Sequence, residues 1–307
     1  MPPLSAQQIA ERVGVHGFVG ASEIAAIVGE NPWSKPIDVW LRKTGRSEEE
    51  TSSPRASVGS RAESLIANWY AEDTGIMRSQ MNPGETTRHG AVPCVGCTPD
   101  FLVYEAGENP MYTRRVNAKP AVLSHAVQLK CVGARVALMW PDEWIPPYVE
   151  CQVQLEAEVL QVDRVDVAAW LGGTDWRIIQ VPRDREFGRM LTDAAIDFWH
   201  CVTTDTPPPV DGSESWRKYL AQRYPTVERQ ELDTPTPDVD HWALEMLRAK
   251  DLEGEAKELA ETAGNKLRAF IGEGSGYLGG DYVATWLPDK NGKRSLRVKR
   301  RALPGGH

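Results

Sequence analysis

The sequence predicts a mixed α/β (α+β) fold: a central mixed β-sheet flanked by helices, with a C-terminal helix and β-hairpin appended. Three observations carry that prediction. Helical periodicity fills much of residues 22–73 and returns at 147–160 and 185–201. Short β-branched and apolar runs lie between and after these segments. Two Pro-rich stretches then set off a last long helix and a pair of strands.

Residues 5–13 and 22–29 carry short helical patterns, with Ser22 placed as an N-cap and Gly29 as a stop. A helix over 36–43 puts Ile37, Trp40 and Leu41 on one face. The polar stretch 45–56 reads as a loop. From 58 to 73, Leu65, Ile66, Trp69 and Tyr70 follow a 3.6-residue period. Strands are expected at 92–94, 100–104 and 126–132, a helix at 147–160, strands at 164–171 and 176–181, and an amphipathic helix at 185–201. Residues 203–239, bounded by Thr206-Pro207-Pro208-Pro209 and Pro235-Thr236-Pro237, read as a stiff linker between a core of 1–202 and an appendage of 240–307. In that appendage a helix runs over 240–270, and strands at 282–287 and 295–299 flank the hairpin turn Asn291-Gly292.

The chain has 307 residues and a net charge of −8, which argues against a generally basic nucleic-acid coat protein. Its bases are bunched at the end of the chain, among them Arg297 and Lys299. Such a hairpin could grip phosphates or simply be a solvated tail, and the sequence does not choose. No apolar run approaches the roughly 18 residues of a membrane helix. The N-terminus shows no signal core, so a cytoplasmic protein is expected. Five cysteines in a chain of this length suggest no disulfide scaffold. Cys94-Val95-Gly96-Cys97, with Cys131 and Cys151, invites a metal-cluster reading, but a single C-x-x-C is a weak signal. No serine-hydrolase elbow or phosphate-binding glycine loop occurs.

The candidate chemistry lies in Thr98-Pro99-Asp100 and Gln128-Leu129-Lys130. An acid at one strand end, facing an (acid or amide)-x-Lys on the next strand, can hold a hard divalent cation beside a phosphate. Side chains alternate along a strand, so Lys130 shares a face with residue 128. Taken alone, these residues read first as a turn aspartate and a surface lysine, because the pattern D…(E/Q)-x-K often arises by chance. Trp140 and Trp144 flank a Pro-rich loop and could stack on unpaired bases or be buried.

Gly20-Ala21-Ser22-Glu23-Ile24-Ala25-Ala26-Ile27-Val28-Gly29, then Asn31-Pro32-Trp33, Trp40 and Lys43-Thr44-Gly45, resembles the opening of the YqaJ-like viral recombinase family. That family includes the lambda-type phage exonucleases, within the PD-(D/E)xK nucleases. Gly59-x-x-x-Glu63, Cys97-Thr98-Pro99-Asp100, Gln128-Leu129-Lys130-Cys131 and Gln152-Val153-Gln154 resemble its later motifs in the right order, over roughly residues 16 to 200.

The resemblance implies a restriction-endonuclease-like core and metal-dependent cleavage of DNA. It implies that Glu63, Asp100 and Gln128 hold Mg²⁺ or Mn²⁺, that Lys130 is the catalytic lysine, and that Gln154 and Gln152 lie near the reacting phosphate. It places Ser22 and Thr98 at a 5′-phosphate. The family's basic residue upstream of that serine has no clear match, since Arg12 lies too early and His16 is the nearest candidate. The resemblance further implies duplex DNA ends as substrate, 5′ to 3′ resection, a single-strand annealing partner and a homo-oligomer such as a ring-type trimer.

Gln128 stands where the family pattern has Glu. A neutral amide weakens cation binding, which keeps two alternatives open: a structure-specific or nicking endonuclease, and a DNA-end binder with weakened chemistry. The long spacing from Asp100 to Gln128 implies a loop over 109–119 carrying Arg114 and Arg115.

Overall fold

The computed structural model describes residues 17–47, 54–105, 122–226 and 237–301. The expected helix at 5–13, the loop 109–119 with Arg114 and Arg115, and Arg12 and His16 lie outside the described residues. The chain forms two compact units, residues 1–226 and 227–307.

The first unit is built on a five-stranded mixed sheet: β2 (Met81–Pro83), β5 (Phe101–Tyr104), β6 (Leu123–Val132), β7 (Arg164–Leu171) and β8 (Asp175–Pro182), in that order. Strands β6 and β7 run parallel and the other pairs antiparallel. A parallel pair needs a crossover. Helix α5 (Pro147–Leu160), preceded by the short α4 (Ala134–Ala137), lies in that connection. A second, small sheet joins β1 (Val19–Gly20), β4 (Val95–Cys97) and β3 (Thr87–Arg88).

Alternation along the strands assigns the layers. Val127 and Leu129 of β6 and Ala168 of β7 pack against Ile66, Ala67 and Tyr70 of α3 (Pro54–Thr74). Ala126, Val165, Val167 and Ala169 face the other way, onto Val149, Val153 and Ala157 of α5. The opposite side of α5, with Cys151, Leu155 and Val159, packs on α1 (Ala21–Ile27) and α6 (Arg185–Thr203), and α2 (Pro36–Lys43) and α7 (Glu214–Arg223) complete that apolar cluster. Helix α5 is therefore apolar on two sides, as expected of a helix enclosed by its own protein.

Helices α2 and α5 begin and end where the sequence places them, each with proline at its first position, where the missing N–H is harmless. Several details differ. The N-cap of α1 is Gly20, not Ser22, and the Glu23 carboxylate accepts the Gly20 N–H at 2.9 Å. Gly29 does follow the helix with φ at +87°. The strand expected at 92–94 forms three residues later, at β4. Helix α7 occupies part of the expected linker: Trp216 and Tyr219 are buried against Trp40 and its neighbours, which places residues 214–223 in the first unit.

The second unit consists of helix α8 (Pro237–Ile271) and an antiparallel sheet in the order β11 (Arg294–Arg300), β10 (Tyr282–Pro288), β9 (Gly276–Leu278). The expected hairpin thus gains a third strand. Arg294 stacks on Trp286, 3.6 Å from its ring centre. Arg297 and Lys299 share a face of β11 and are exposed. Among the described residues no helix is long and apolar enough to cross a membrane.

The chain leaves the small sheet at β4 and enters the large one at β5 through Thr98-Pro99-Asp100. Gly84 abuts this turn: its N–H donates to the Asp100 carbonyl at 3.0 Å, and an added Cβ would overlap the Pro99 carbonyl oxygen. Gly84→Ala is therefore expected to lower stability by about 1–3 kcal/mol through overpacking against backbone. Gly254→Ala, on an exposed part of α8 with open space around it, is expected to stabilise the second unit by about 0.5–1 kcal/mol. Urea unfolding of both variants checks the contrast.

Candidate active site

Asp100 opens β5, and the β5–β6 register pairs Phe101 with Val127. Asp100 therefore meets the next stretch of β6, where its Oδ2 accepts the Leu129 N–H at 2.6 Å. Burial raises its pKa, opposed by that N–H and by the Lys130 ammonium. The carboxylate is thus held against the Gln128-Leu129-Lys130 segment by the backbone of the segment itself.

Gln128 and Lys130 point to the α5 side of β6, where their partners are Gln152 and Glu156, one helical turn apart. Lys130 Nζ donates to Gln152 Oε1 at 2.9 Å and lies 3.4 Å from Gln128 Oε1. The amide nitrogens of Gln128 and Gln152 both donate to Glu156 Oε1, at 2.8 and 2.9 Å. The result is a closed circuit in which two glutamines bridge an ammonium and a carboxylate. Lysine only donates and carboxylate only accepts, so the orientation of both amides is set.

Glu156 is 1% exposed. Its Oε2 has no hydrogen-bond partner among the described residues. Burial pushes its pKa up to about 7, against the pull of Lys130 and the Gln152 amide, and Asp100 adds to the rise. Cys97 nearby is raised as well, first by burial and then by the Glu156 charge.

Two hollows open onto this circuit. A groove of about 920 Å³ is lined by Lys130, Glu63, Trp33, Trp140, Tyr148 and Trp170. Lys130 therefore faces both the circuit and an open groove whose walls include Trp33, Tyr148 and Trp170. A smaller pocket of about 210 Å³ is lined by Ser22, Thr98, Lys43, Glu23, Gln152 and Glu156. Lys43 Nζ is fixed there by Glu23 Oε2 and the Phe18 carbonyl, both at 2.7 Å.

The structure thus brings together Asp100, Gln128, Lys130 and Gln152, and it brings Ser22 and Thr98 to a pocket shared with Gln152. Glu63 is exposed on α3, the helix on the opposite face of the sheet, and meets Lys130 only across the groove. Gln154 is not part of the cluster, which corrects its expected place. Its Nε2 donates to the Pro182 carbonyl at 2.9 Å and its Oε1 accepts the Asp184 N–H at 2.8 Å, pinning the start of α6. A two-residue step turns a helix by about 200°, so Gln154 and Gln152 leave α5 in nearly opposite directions. Arg297 and Lys299 belong to the second unit. Trp140 is buried, and Trp144 is partly exposed with its indole N–H on Glu150. The five cysteines are free thiols, and no group of three His, Cys, Asp or Glu side chains among the described residues is placed to hold a metal.

One residue of this circuit escaped the sequence reading. Glu156 follows Gln152 at the i+4 spacing that puts both on one helix face, and it interrupts an otherwise apolar helix. Lys43, at the end of α2, brings an ammonium to the pocket that Ser22 lines. The donor set of Asp100, Glu156 and the glutamine carbonyls consists of hard oxygens, the type that suits Mg²⁺ or Mn²⁺. The unpartnered Glu156 oxygen fits such an ion.

Residues 12–163 match the YqaJ-like viral recombinase domain. The protein YqaJ of Bacillus subtilis (strain 168) is 26% identical over 278 residues, covering 88% of this chain and 80% of that protein. Among solved structures, the alkaline exonuclease LHK-Exo from Laribacter hongkongensis aligns at 13% identity with a TM-score of 0.47, over 72% of this chain and 98% of the exonuclease. A phage related exonuclease from Haemophilus somnus 129PT aligns at 10% identity with a TM-score of 0.40, over 67% and 96% of the two chains.

The raised pKa of Glu156 has a consequence for stability in the absence of divalent cations. A carboxyl with a folded-state pKa near 7, above its ordinary value of 4.5, stabilises the fold at low pH, and that contribution is lost as pH rises through about 7. The metal-free protein is expected to lose on the order of 3 kcal/mol from this group between pH 4.5 and 8. Glu156→Gln keeps an acceptor for both glutamine amides and should remove most of that pH dependence. Thermal melts of both proteins in EDTA across this range read the difference.

Proposed function

Because residues 12–163 belong to the YqaJ-like viral recombinase domain family, we propose that this protein is a cation-dependent DNA exonuclease that resects duplex ends in phage-type recombination. The observation that carries the reading is the buried circuit of Lys130, Gln152, Glu156 and Gln128 against Asp100. A buried carboxylate tied to a half-buried lysine at the edge of a groove places charge where phosphodiester hydrolysis needs it.

Bound Mg²⁺ or Mn²⁺ would supply Lewis acidity for the phosphate and the attacking water. Asp100 is the strand-end carboxylate placed to hold it, while Gln128 offers only a neutral amide whose oxygen faces Lys130 and Glu63 lines the groove across from Lys130. Lys130 orients the attacking water and balances the negative charge that grows on the phosphate. The water oxygen bonds to phosphorus, the bond from phosphorus to the 3′-oxygen breaks, and that oxygen takes up a proton. Gln152 holds the Lys130 ammonium in position. The aromatic groove beside Lys130 suits bases leaving the stack, each base–aromatic contact being worth ~1–3 kcal/mol.

The 5′ to 3′ polarity draws support from the small pocket. Ser22 and Thr98 bring hydroxyls and Lys43 a cation to a hollow that Gln152 shares with the circuit. A terminal 5′-phosphate seated there would lie next to the cutting site. A single-strand annealing partner, a ring-type oligomer such as a trimer and a role for Arg297 and Lys299 on DNA complete the proposal. A second reading, a DNA-end binder without turnover, is favoured by the neutral Gln128 and by the distance of Glu63 from the circuit.

Purified protein with Mn²⁺ is expected to release nucleotides from 5′-phosphorylated linear duplex, more slowly from 5′-hydroxyl duplex, and not from closed circles. Lys130→Ala should lower the rate by about 10²-fold or more. Lys43→Met should erase the preference for the 5′-phosphate while leaving the slow 5′-hydroxyl reaction in place. Cutting of closed circles would establish an endonuclease instead, and end binding without release would establish the binder.

A further inference from the structure

Gln128 poses a chemical problem that the rest of the structure answers. The strand position that would offer a charged oxygen to a cation offers a neutral amide, and that amide is already engaged. Its nitrogen is on Glu156 and its carbonyl oxygen is turned to Lys130. Left there, the site would hold Asp100 as its one buried carboxylate.

Glu156 supplies the second. It comes from α5, across from β6, and its Oε1 lies 2.8 Å from the Gln128 amide nitrogen. Asp100 is tied to the next residue of the same strand through the Leu129 N–H. The two acids therefore flank one short stretch of β6. Glu156 is 1% exposed, yet only one of its oxygens is used: both glutamines converge on Oε1, and Oε2 has no partner among the described residues. Leaving a charged oxygen buried and unpaired is expensive, and native proteins rarely do so without an ion, a water or a function to explain it. Glu156 also lines the pocket it shares with Ser22 and Thr98, so the unpaired oxygen belongs to a residue at an open boundary of the core.

We propose that Glu156 is a cation ligand of this site, its free Oε2 replacing from helix α5 the carboxylate that Gln128 lacks on strand β6. Gln128 then acts as a positioning residue: its amide holds Glu156 Oε1 so that Oε2 faces the ion. Glu156 thus gives the site a second buried carboxylate, from the helix rather than from the strand. This inference rests on the proposed nuclease site, and its test is separable from that reading.

The test compares wild type, Glu156→Gln, Gln128→Glu and the double exchange Gln128→Glu/Glu156→Gln. Binding of Mn²⁺ alone is measured by titration calorimetry and by electron paramagnetic resonance of the free ion, without DNA. Nuclease release on linear duplex is measured in parallel. Glu156→Gln should fold as wild type and weaken Mn²⁺ binding by about tenfold or more, in the range seen when groups around a bound metal are altered. The double exchange should recover most of the lost affinity, because it returns the charge to the strand. Wild-type Mn²⁺ affinity in Glu156→Gln, or a double exchange no better than Glu156→Gln alone, would overturn the assignment. If wild type releases nucleotides while Glu156→Gln binds Mn²⁺ normally, only this inference fails. If wild type binds Mn²⁺ through Glu156 but releases nothing, the nuclease reading fails and the ligand assignment stands.

Discussion

A central strand that turns Gln128 and Lys130 toward a face otherwise packed with valine and alanine must find hydrogen-bond partners for both. Buried polar groups left unmade cost about 1–3 kcal/mol each, and more when charged. The partners come from one edge of α5, where Gln152 and Glu156 sit between the side that packs on the sheet and the side that packs on the small-sheet layer. The position of α5, its crossover between parallel strands and its two apolar sides are all consistent with this one requirement. Were the helix rotated by one residue position, about 100°, Gln152 and Glu156 would meet apolar side chains and the lysine would be stranded.

The same packing explains why Glu63 stands apart. Helix α3 covers the face of β6 that carries Val127 and Leu129, so nothing on it reaches the Gln128 side without passing an edge of the sheet. Glu63 does so only along the groove, where it lines a wall with Lys130. Asp100 avoids the problem because it lies at a strand end, in the turn between the two sheets, and is gripped by a backbone N–H rather than by a side chain. Burial raises the pKa of both Asp100 and Glu156, and the Lys130 ammonium pulls both back. Shifted carboxyls beside an ammonium are more common in functional sites than elsewhere.

Much of this was legible in the sequence where the local signal is long. Helices α2 and α5 show proline at the first position followed by apolar residues at helical spacing, and β7 shows a run of valine and alanine that only a buried strand carries. The pairing of Asp100 with Gln128 and Lys130 was implied by the family resemblance, since strand alternation alone leaves a turn aspartate and a surface lysine. What escaped it was short or three-dimensional. Two-residue strands such as Val19–Gly20 and Thr87–Arg88 have no periodicity to detect. Helix α7 was hidden by its polar composition and its Pro-rich flanks, although Trp216 and Tyr219 bury themselves in the first core. Gln154 was grouped with Gln152 by adjacency, where the helical turn separates them. Glu156 was passed over because a glutamate in a helix ordinarily faces water; only the packing of α5 on both sides shows that it cannot.

The arrangement makes one demand that can be seen directly. Crystals of the protein soaked with Mn²⁺ and recorded at the manganese absorption edge should show an anomalous peak bonded to the Asp100 carboxylate and to Glu156 Oε2, with Lys130 alongside. Manganese bound elsewhere, or no peak at this place with the circuit of Lys130, Gln152, Glu156 and Gln128 otherwise intact, would contradict the assignment of this cluster as the cation-binding centre.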